Sequence, residues 1–354
     1  MGGAQATLKA VEWMWKSNPD PFSNEEAIWS HYSDVENLII EGAYLAKKPR
    51  ADLDEYYIDF ESGFQISNKD SYKKRHVKRV LRKREDKHLR EARFVDLPVT
   101  SGRSFGGQYG WISPFIVEVR RDLGLKMHEL PSKNEHLVSM LVEKAARDIT
   151  IEGTHLKKEK EAAKLADTLL EKKDKGMKEV WKCCAYLYSL DSFLYKTINA
   201  AMRLVGSKDD EQVWRSKIRT LGPFCLLLWD DPFNIKVKTN IELYRGANLS
   251  PEQIKTYEEM AKEEGKYGSF QSFSSSSRNR SKAEGFGNTL FIMKVLHAFI
   301  ADLSELSEYP DEEEELITPG VCFSVKRVEF DRMKNKHFIY LELRQRFNSK
   351  YFFR

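Results

Sequence analysis

The hydrophobic pattern changes along the chain in an order that constrains its fold more than any other feature. Aromatic-rich runs with the alternation typical of short strands fill residues 11–84. Apolar residues then recur at helical spacing over residues 133–204, and strand-like runs return from about residue 240. The chain has 354 residues, which is too long for one ordinary core. This order predicts a small β unit followed by an α+β domain that begins with helices.

Local signals support the front β unit. Three runs have the composition of strands: residues 11–15, 56–60 and 64–67. Ser62-Gly63 lies between the last two runs and predicts a hairpin turn. Ser33 is followed three residues later by Glu36, which is the capping-box pattern at the start of a helix. The front unit is therefore expected to be a sheet with one short helix.

Charge and cysteine content exclude several classes of protein. The formal net charge is +4 from 58 basic and 54 acidic residues, which is too balanced for a chain that binds nucleic acid over its whole surface. The four cysteines have neither zinc-site spacing nor the density of a disulfide framework. No run of about 18 apolar residues and no N-terminal signal peptide are found. We expect an intracellular protein, cytoplasmic or nuclear, with no metal, no membrane contact and no specific nucleic-acid partner.

One basic segment departs from this balance. Residues 69–93 hold 12 Lys or Arg against 4 Asp or Glu. Such a segment is either a solvated helix or linker, or an edge that contacts a polyanion. Residues 94–110 are rich in Gly and Ser, which is typical of an exposed linker. A boundary between two folded units is therefore expected in this part of the chain.

The aromatic and basic residues of the front unit follow a recognisable order. They are Trp13 and Trp15, then Trp29 with Tyr32, then residues 57–60, Gln65 and residues 75–79. This ordered set resembles the WWE domain over residues 5–84. The binding members of that family hold ADP-ribose or poly(ADP-ribose), so the resemblance implies the same partner for this chain.

The resemblance also implies which residues would bind that ligand. They are Trp15 and Tyr56 as an aromatic wall for adenine, Gln65 as a polar group and Arg75 for the pyrophosphate. Two features depart from the binding members: they have a tyrosine at the place of Trp15, and the loop over residues 16–28 is longer here. The alternative is a protein-interaction module in which Arg75 is structural and the aromatic residues form the core.

Three short motifs characterise the back half of the chain. They are Leu243-Tyr244-Arg245-Gly246, residues 270–277 with a serine run after Phe273, and residues 312–320 with four glutamates before Leu316-Ile317-Thr318-Pro319. Each motif is common alone, but their order and spacing are specific. An arginine on a strand, an aromatic before Ser-x-Ser, and Glu-x-Glu before two aliphatic residues and a proline resemble the arginine–serine–glutamate class of ADP-ribosyltransferases.

This second resemblance extends beyond the three motifs. Residues 186–188 and 198–203 match the helical lobe that precedes the arginine strand in the family, and residues 251–254 match the segment after it. The histidine–tyrosine–glutamate class of poly(ADP-ribose) polymerases requires His-Gly where this chain has Arg245-Gly246. That class is therefore excluded.

The resemblance makes NAD the substrate, without a metal, and implies residues that would bind it. Arg245 would hold the diphosphate with its planar guanidinium, and Gly246 would let the backbone approach the nicotinamide amide. Ser275 would orient the catalytic glutamate, with Ser277 in support.

Two glutamates would perform the chemistry. Glu315, four residues before Pro319, would bond the ribose 2′-hydroxyl and stabilise the oxocarbenium-like cation formed when nicotinamide leaves. Glu313 would lie on the same face of an extended segment and receive the guanidinium of an acceptor. A glutamate at this first position marks arginine specificity in the family.

Together the resemblances predict an α+β chain with three parts. These are a WWE domain with a half-barrel-like sheet and one helix (5–84), a basic segment and linker (85–110), and a catalytic domain (111–354) whose helical lobe (111–235) precedes a two-sheet β core (236–354). The expected function is mono-ADP-ribosylation of protein arginine from NAD. The alternatives are an NAD glycohydrolase, in which water replaces arginine, a non-catalytic ADP-ribose reader, and an adaptor built on residues 69–93.

Overall fold

The computed structural model describes residues 11–81, 113–126, 128–205, 207, 209–233 and 238–345. The predicted linker over residues 85–110 lies outside these ranges, and so does the basic segment from residue 82 onward. Within them, an antiparallel sheet with one helix precedes a helical lobe and a mixed sheet. The predicted α+β class is confirmed.

The front unit is a six-stranded sheet with one helix. Its elements are β1 (Val11–Lys16), β2 (Trp29–His31), α1 (Asp34–Leu45), β3 (Arg50–Asp52), β4 (Tyr56–Asp59), β5 (Phe64–Ser67) and β6 (Lys74–Leu81). The strands pair antiparallel in the order β2-β1-β6-β5-β4-β3. The predicted capping box is present: the Glu36 N–H donates to Ser33 Oγ at 3.3 Å, and the Ser33 N–H donates to Glu36 Oε2 at 3.0 Å. Gly63 has a φ of +71° in the predicted turn between β4 and β5, a conformation that favours glycine.

Six helices form the lobe that follows. They are α2 (Pro114–Asp122), α3 (Glu135–His155), α4 (Glu159–Leu170), α5 (Met177–Ser189), α6 (Phe193–Leu204) and α7 (Glu211–Trp229). Their apolar faces meet in one core, which also takes in Val35 of α1. The front unit is therefore docked on the lobe through buried apolar surface.

Two carboxylates of the front unit add polar contacts to this docking. Asp54 accepts the backbone N–H of Lys160 at 2.7 Å and that of Glu161 at 3.4 Å, at the start of α4. The N-cap residue of α4, Lys158, makes no side-chain capping bond of its own. Asp54 thus caps the helix from another domain, where N–H groups lack intrahelical partners and negative charge is favoured. Asp34 similarly accepts the N–H of Asp191 at 2.7 Å.

The second sheet has eight strands and carries two further helices. The elements are β7 (Ile241–Ala247), α8 (Pro251–Lys262), β8 (Gly268–Ser269), β9 (Ser274–Ser277), α9 (Arg280–Glu284), β10 (Thr289–His297), β11 (Ile300–Asp302), β12 (Glu314–Ile317), β13 (Cys322–Asp331) and β14 (Lys336–Arg344). The order is β11-β12-β9-β7-β10-β14-β13-β8, with β10 and β14 parallel. The predicted two sheets are joined here into one by the pairing of Tyr244 on β7 with Ser277 on β9. That junction brings the arginine strand beside the serine strand.

Candidate active site

Arg245 lies at the junction of the two halves of the sheet. It stands on β7, is 1% exposed, and its Nη1 donates to the backbone carbonyl of Ser275 at 2.6 Å. Because this bond crosses from β7 to β9, the guanidinium fixes the serine strand against the arginine strand. The arginine and serine motifs are therefore neighbours in the sheet.

Gly246 lies where another segment of the protein comes close to the backbone of β7. A Cβ at this position would lie 2.5 Å from Phe286 Cβ and 2.6 Å from the Ala283 carbonyl oxygen, distances that real Cβ atoms do not adopt. The segment after α9 can therefore pack on β7 only where β7 has no side chain. This is a structural requirement for glycine in addition to the nicotinamide contact expected from the sequence.

The serine strand β9 pairs with the glutamate strand β12. Glu315 stands opposite Ser276, and Leu316 stands opposite Ser275. Directly paired residues share a face, so the Ser276 side chain lies on the face of Glu315 and that of Ser275 on the other. Ser276 Oγ donates to the Glu315 carbonyl at 2.9 Å. This bond holds the backbone of Glu315 rather than its carboxylate, and the orienting role of Ser275 stays a prediction.

Ser277 supports the acidic segment in another way. Its hydroxyl donates to the Glu312 carbonyl at 2.6 Å and accepts the N–H of Asn279 at 2.9 Å. The hydroxyl therefore links the end of β9, the start of α9 and the glutamate run in one place.

Glu315 is a buried carboxylate with two cationic neighbours. Its side chain is 1% exposed, and Lys238 Nζ lies 2.8 Å from Oε1 and 2.7 Å from Oε2. Arg278 Nη1 lies 3.2 Å from Oε1. Burial raises the pKa of Glu315 above its ordinary value, while the hydrogen bond from Lys238 opposes that rise. A charge held in such a dry site acts strongly on a nearby cation.

Glu313 has a different environment although it is only two residues away. It is 45% exposed, and Arg278 Nε lies 3.8 Å from its Oε2. The predicted extended conformation is wrong at this residue: φ is +45° and ψ is 49°, in the left-handed region, after a short 3-10 turn over Pro310–Glu312. The strand begins only at Glu314. Both carboxylates still reach the same guanidinium, but through a turn rather than through strand alternation.

Three residues that the motifs do not include complete the site. Lys238 is held by backbone bonds to Ala298 in both directions, at 2.9 and 3.1 Å, and it projects onto Glu315. Arg278 directly follows the serine run, so its position next to a motif is the one sequence signal that could have identified it. Asp302 accepts from Arg278 Nη1 at 3.0 Å. Burial alone would raise the pKa of Asp302, but hydrogen bonds from Ser304 and the charges of Arg278 and Lys238 lower it.

The helical lobe anchors the loop that leads to the glutamates. Tyr186 Oη donates to Glu308 Oε1 at 3.0 Å, within the 186–188 segment singled out in the sequence. The next residue, Tyr309, donates its hydroxyl to Asp34 of the front unit at 2.6 Å. Both domains therefore hold the loop immediately before Glu313.

The four predicted ligand residues of the front unit share one face of its sheet. Gln65 pairs with Arg75, Trp15 pairs with a residue two positions from Arg75, and Tyr56 pairs with a residue two positions from Gln65. Trp15 and Tyr56 are half-buried, whereas Gln65 is buried and accepts the Tyr32 hydroxyl at 2.6 Å. The register therefore places all four expected ligand residues on one face of the sheet.

Arg75 already makes contacts within the protein. Its Nη1 donates to the carbonyls of Lys16 and Asn18 at 3.0 and 2.7 Å, and the guanidinium lies 5.4 Å from the centre of the Trp15 ring. These bonds fix the start of the loop over residues 16–28. They also orient the guanidinium beside the aromatic wall.

The described residues contain neither a metal-binding cluster nor a membrane-spanning helix. No cluster of three or more His, Cys, Asp or Glu in these ranges could hold a metal ion. None of the helices described above is long and apolar enough to span a bilayer.

Comparison with known proteins identifies both halves of the chain. A family model described as NAD:arginine ADP-ribosyltransferase matches residues 134–349, and a model of the WWE domain matches residues 11–79. Both resemblances seen in the sequence are confirmed. No curated protein matches the chain at a significant level.

Several solved structures are similar to about half of the chain. The ADP-ribosyltransferase HopU1 of Pseudomonas syringae pv. tomato DC3000 is 17% identical, with a TM-score of 0.41 over 51% of this chain and 87% of its own. Exoenzyme S from Pseudomonas aeruginosa, bound to carba-NAD and to human 14-3-3 protein beta, is 18% identical, with a TM-score of 0.37 over 57% and 88%. C3stau2 from S. aureus, with NAD, is 15% identical, with a TM-score of 0.33 over 47% and 87%.

Proposed function

Because the chain belongs to the NAD:arginine ADP-ribosyltransferase family, with a WWE domain ahead of the matched region, we propose that it transfers ADP-ribose from NAD to arginine side chains of proteins. One observation carries the arginine specificity. Glu313 and Glu315 both approach a single guanidinium, that of Arg278, although one is exposed and the other buried. A pair of carboxylates that accepts one guanidinium can accept another of the same geometry.

The two carboxylates suit the two halves of the reaction. When the bond between ribose C1′ and the nicotinamide nitrogen breaks, the electron pair leaves with neutral nicotinamide and positive charge develops on the ribose. Glu315, buried and paired with Lys238, stabilises that charge. A guanidine nitrogen of the acceptor then bonds C1′ and loses a proton, for which the exposed Glu313 is the available base. With water in place of the guanidine, the same steps give hydrolysis.

We assign NAD to the junction of β7 and β9, where the arginine and serine motifs meet. Arg245, Gly246, Ser275 and Ser277 are the candidate NAD-binding residues. Their support is that the junction of β7 and β9 collects all four beside the glutamate strand. The substrate is NAD itself, and the proposed chemistry needs no metal.

Two glutamine variants test the assignment of the glutamates. With labelled NAD and agmatine as acceptor, Glu315→Gln should reduce nicotinamide release by at least about 100-fold, since removal of one charge-stabilising group costs roughly 3–4 kcal/mol. Glu313→Gln should leave nicotinamide release unchanged but abolish the transfer of labelled ADP-ribose to agmatine. The exposed Glu305 offers a control in the same loop, and Glu305→Gln should change neither.

Each result has a distinct meaning. Near-normal nicotinamide release from the Glu315 variant would show that another glutamate is catalytic. Equal losses of release and transfer in the Glu313 variant would remove its role at the acceptor. If the unaltered protein releases nicotinamide without labelling agmatine or any protein, the chain is an NAD glycohydrolase.

We further propose that the WWE domain binds ADP-ribose or poly(ADP-ribose). The support is the common face of Trp15, Tyr56, Gln65 and Arg75, where an aromatic wall stands next to a guanidinium. Stacking of one base on such a wall is worth roughly 1–3 kcal/mol, and the guanidinium would add pairing to phosphate.

A charge-matched comparison tests this second proposal. Arg75→Ala should abolish binding of poly(ADP-ribose) and iso-ADP-ribose to the full chain. Lys73→Ala removes the same charge from a side chain that is 78% exposed, and it should preserve binding at moderate salt. An equal loss of affinity in both variants would show that the interaction is nonspecific electrostatics. Equal affinities for RNA and poly(ADP-ribose) at two salt concentrations would show the same.

A further inference from the structure

Arg278 has the contacts that an acceptor arginine would need. Its Nη1 lies 3.2 Å from Glu315 and 3.0 Å from Asp302, its Nε lies 3.8 Å from Glu313, and its Nη2 lies 3.4 Å from Ser304 Oγ. The guanidinium therefore stands between both members of the Glu-x-Glu pair. The chain's own arginine fills the place that the proposed function gives to a substrate arginine.

The backbone keeps Arg278 at this place. Its N–H donates to the Glu313 carbonyl at 3.2 Å, and the residues on either side of it, Ser277 and Asn279, are bonded to each other. The arginine and the exposed glutamate are thus fixed as neighbours. The guanidinium can therefore move away from the two glutamates only by rotation of the Arg278 side chain.

The two cations at Glu315 are held with different tightness. Lys238 contacts both carboxylate oxygens at 2.7 and 2.8 Å, and its backbone is bonded to Ala298. Arg278 makes four contacts of 3.0 to 3.8 Å without a bidentate pair, and its side chain is 37% exposed. Partly exposed pairs with such geometry are weak. Lys238, whose side chain is 31% exposed, is therefore the more tightly held partner of Glu315, and Arg278 is the more readily displaced.

We propose that Arg278 is a built-in occupant of the acceptor subsite, which an incoming substrate arginine must displace. This inference rests on the proposed arginine specificity. The tethered guanidinium competes with the acceptor for Glu313 and Asp302, and it does not itself become ADP-ribosylated. It therefore sets the affinity for the acceptor and favours protein substrates whose surroundings supply further binding energy.

The competition has a measurable size. A tethered group has an effective concentration on the order of millimolar. When it fills the subsite for about nine tenths of the time, the apparent affinity for a free acceptor falls about tenfold. Removal of the Arg278 guanidinium should therefore lower the KM for agmatine by roughly 3- to 30-fold.

The experiment measures ADP-ribose transfer to agmatine by Arg278→Gln, by Arg278→Lys and by the unaltered protein. The glutamine variant should show the lower KM for agmatine, without a parallel fall in the KM for NAD. The lysine variant keeps the charge but lacks the planar fork, so its KM should lie between the two. Arg280→Gln is the matched control, because Arg280 pairs with Glu284 rather than with Glu313 or Glu315. The KM of this variant for agmatine should equal that of the unaltered protein. If Arg278→Gln does not fold, Arg278→Lys alone tests the inference.

Three results would overturn the inference. An unchanged or raised KM for agmatine in both variants would mean that Arg278 only balances the charge of three carboxylates. A loss of kcat without a change in KM would mean the same. ADP-ribose found on Arg278 by peptide mass spectrometry would make it an acceptor rather than an occupant. If the unaltered protein transfers nothing to agmatine, the proposed function itself fails, and this outcome is separate from the other three.

Discussion

Glu161 offers a quantitative test of how the front unit is docked on the catalytic domain. It lies in the first turn of α4, is 3% exposed, and accepts the Phe193 N–H at 2.8 Å. Burial raises the pKa of Glu161 from its ordinary value of 4.5 to about 7. The Phe193 bond and Lys158 oppose this rise, whereas Glu36 and Asp54 of the front unit add to it.

The sign of the linkage follows from this raised pKa. Between pH 4.5 and about 7 the folded protein binds the Glu161 proton more tightly than the unfolded chain does, so stability falls as pH rises through this window. Each pH unit of difference corresponds to about 1.4 kcal/mol, which gives a loss of about 3 kcal/mol above pH 7. Glu161→Gln removes this loss, because glutamine is neutral at every pH and its amide oxygen can still accept from Phe193.

The assay is urea unfolding of Glu161→Gln and of the unaltered protein at about pH 5 and about pH 8.5, each followed by two probes as a check on two-state behaviour. The variant should be more stable by up to about 3 kcal/mol at the higher pH and equal within about 1 kcal/mol at the lower pH. Glu159→Gln changes an exposed residue of the same helix and should show no such pH dependence. A stability difference between Glu161→Gln and the unaltered protein that is the same at both pH values would refute the reasoning.

Two further predictions concern Lys238 and Asp54. Lys238→Met removes the hydrogen bonds that stabilise the charged form of Glu315, so the pKa of Glu315 should rise further and the acid limb of the pH profile for nicotinamide release should move to higher pH. The exposed Lys294, changed to Met, is the control, and an unmoved acid limb in Lys238→Met would show that Lys238 does not set the ionisation of Glu315. Asp54→Ala removes the cap that the front unit supplies to α4, which should cost about 1 kcal/mol and speed hydrogen exchange at the amides of Lys160 and Glu161. Asp52→Ala, on the exposed side of β3, should leave that exchange unchanged, and equal rates in both variants would argue against the cap.

Local chemistry explains why much of the fold could be predicted from the sequence. The capping box of Ser33 and Glu36 and the glycine turn at Gly63 depend on residues a few positions apart. The helical periodicity over residues 133–204 likewise predicts helices that the structure contains. β14 is not among the predicted strands, although it pairs with both β10 and β13. The run Phe338-Ile339-Tyr340 within β14 nevertheless has the aromatic and β-branched composition that is typical of a strand.

The limit of prediction from the sequence is clearer at the candidate active site. The motifs place Arg245, the serines and the glutamates in chain order, but they do not state which serine faces Glu315. That choice depends on the register of β9 against β12, and a shift of one residue would reverse it. Lys238 lies 77 residues from Glu315 in the sequence, so its contact depends on the whole sheet being assembled. A sequence motif can therefore identify the reacting residues while it leaves their charge partners unspecified.

The acidic run shows how the backbone separates residues of identical chemistry. Glu312, Glu314 and Glu315 are buried, whereas the side chain of Glu313 is 45% exposed. The left-handed conformation of Glu313, which costs on the order of 1–2 kcal/mol for a residue with a Cβ, separates the 3-10 turn from the strand and directs this one carboxylate outward. A buried carboxylate with a fixed cation suits charge stabilisation, and an exposed carboxylate with a displaceable cation suits proton transfer from an acceptor. The proposed roles of Glu313 and Glu315 therefore follow from the backbone conformation of one residue, Glu313, between the 3-10 turn and β12.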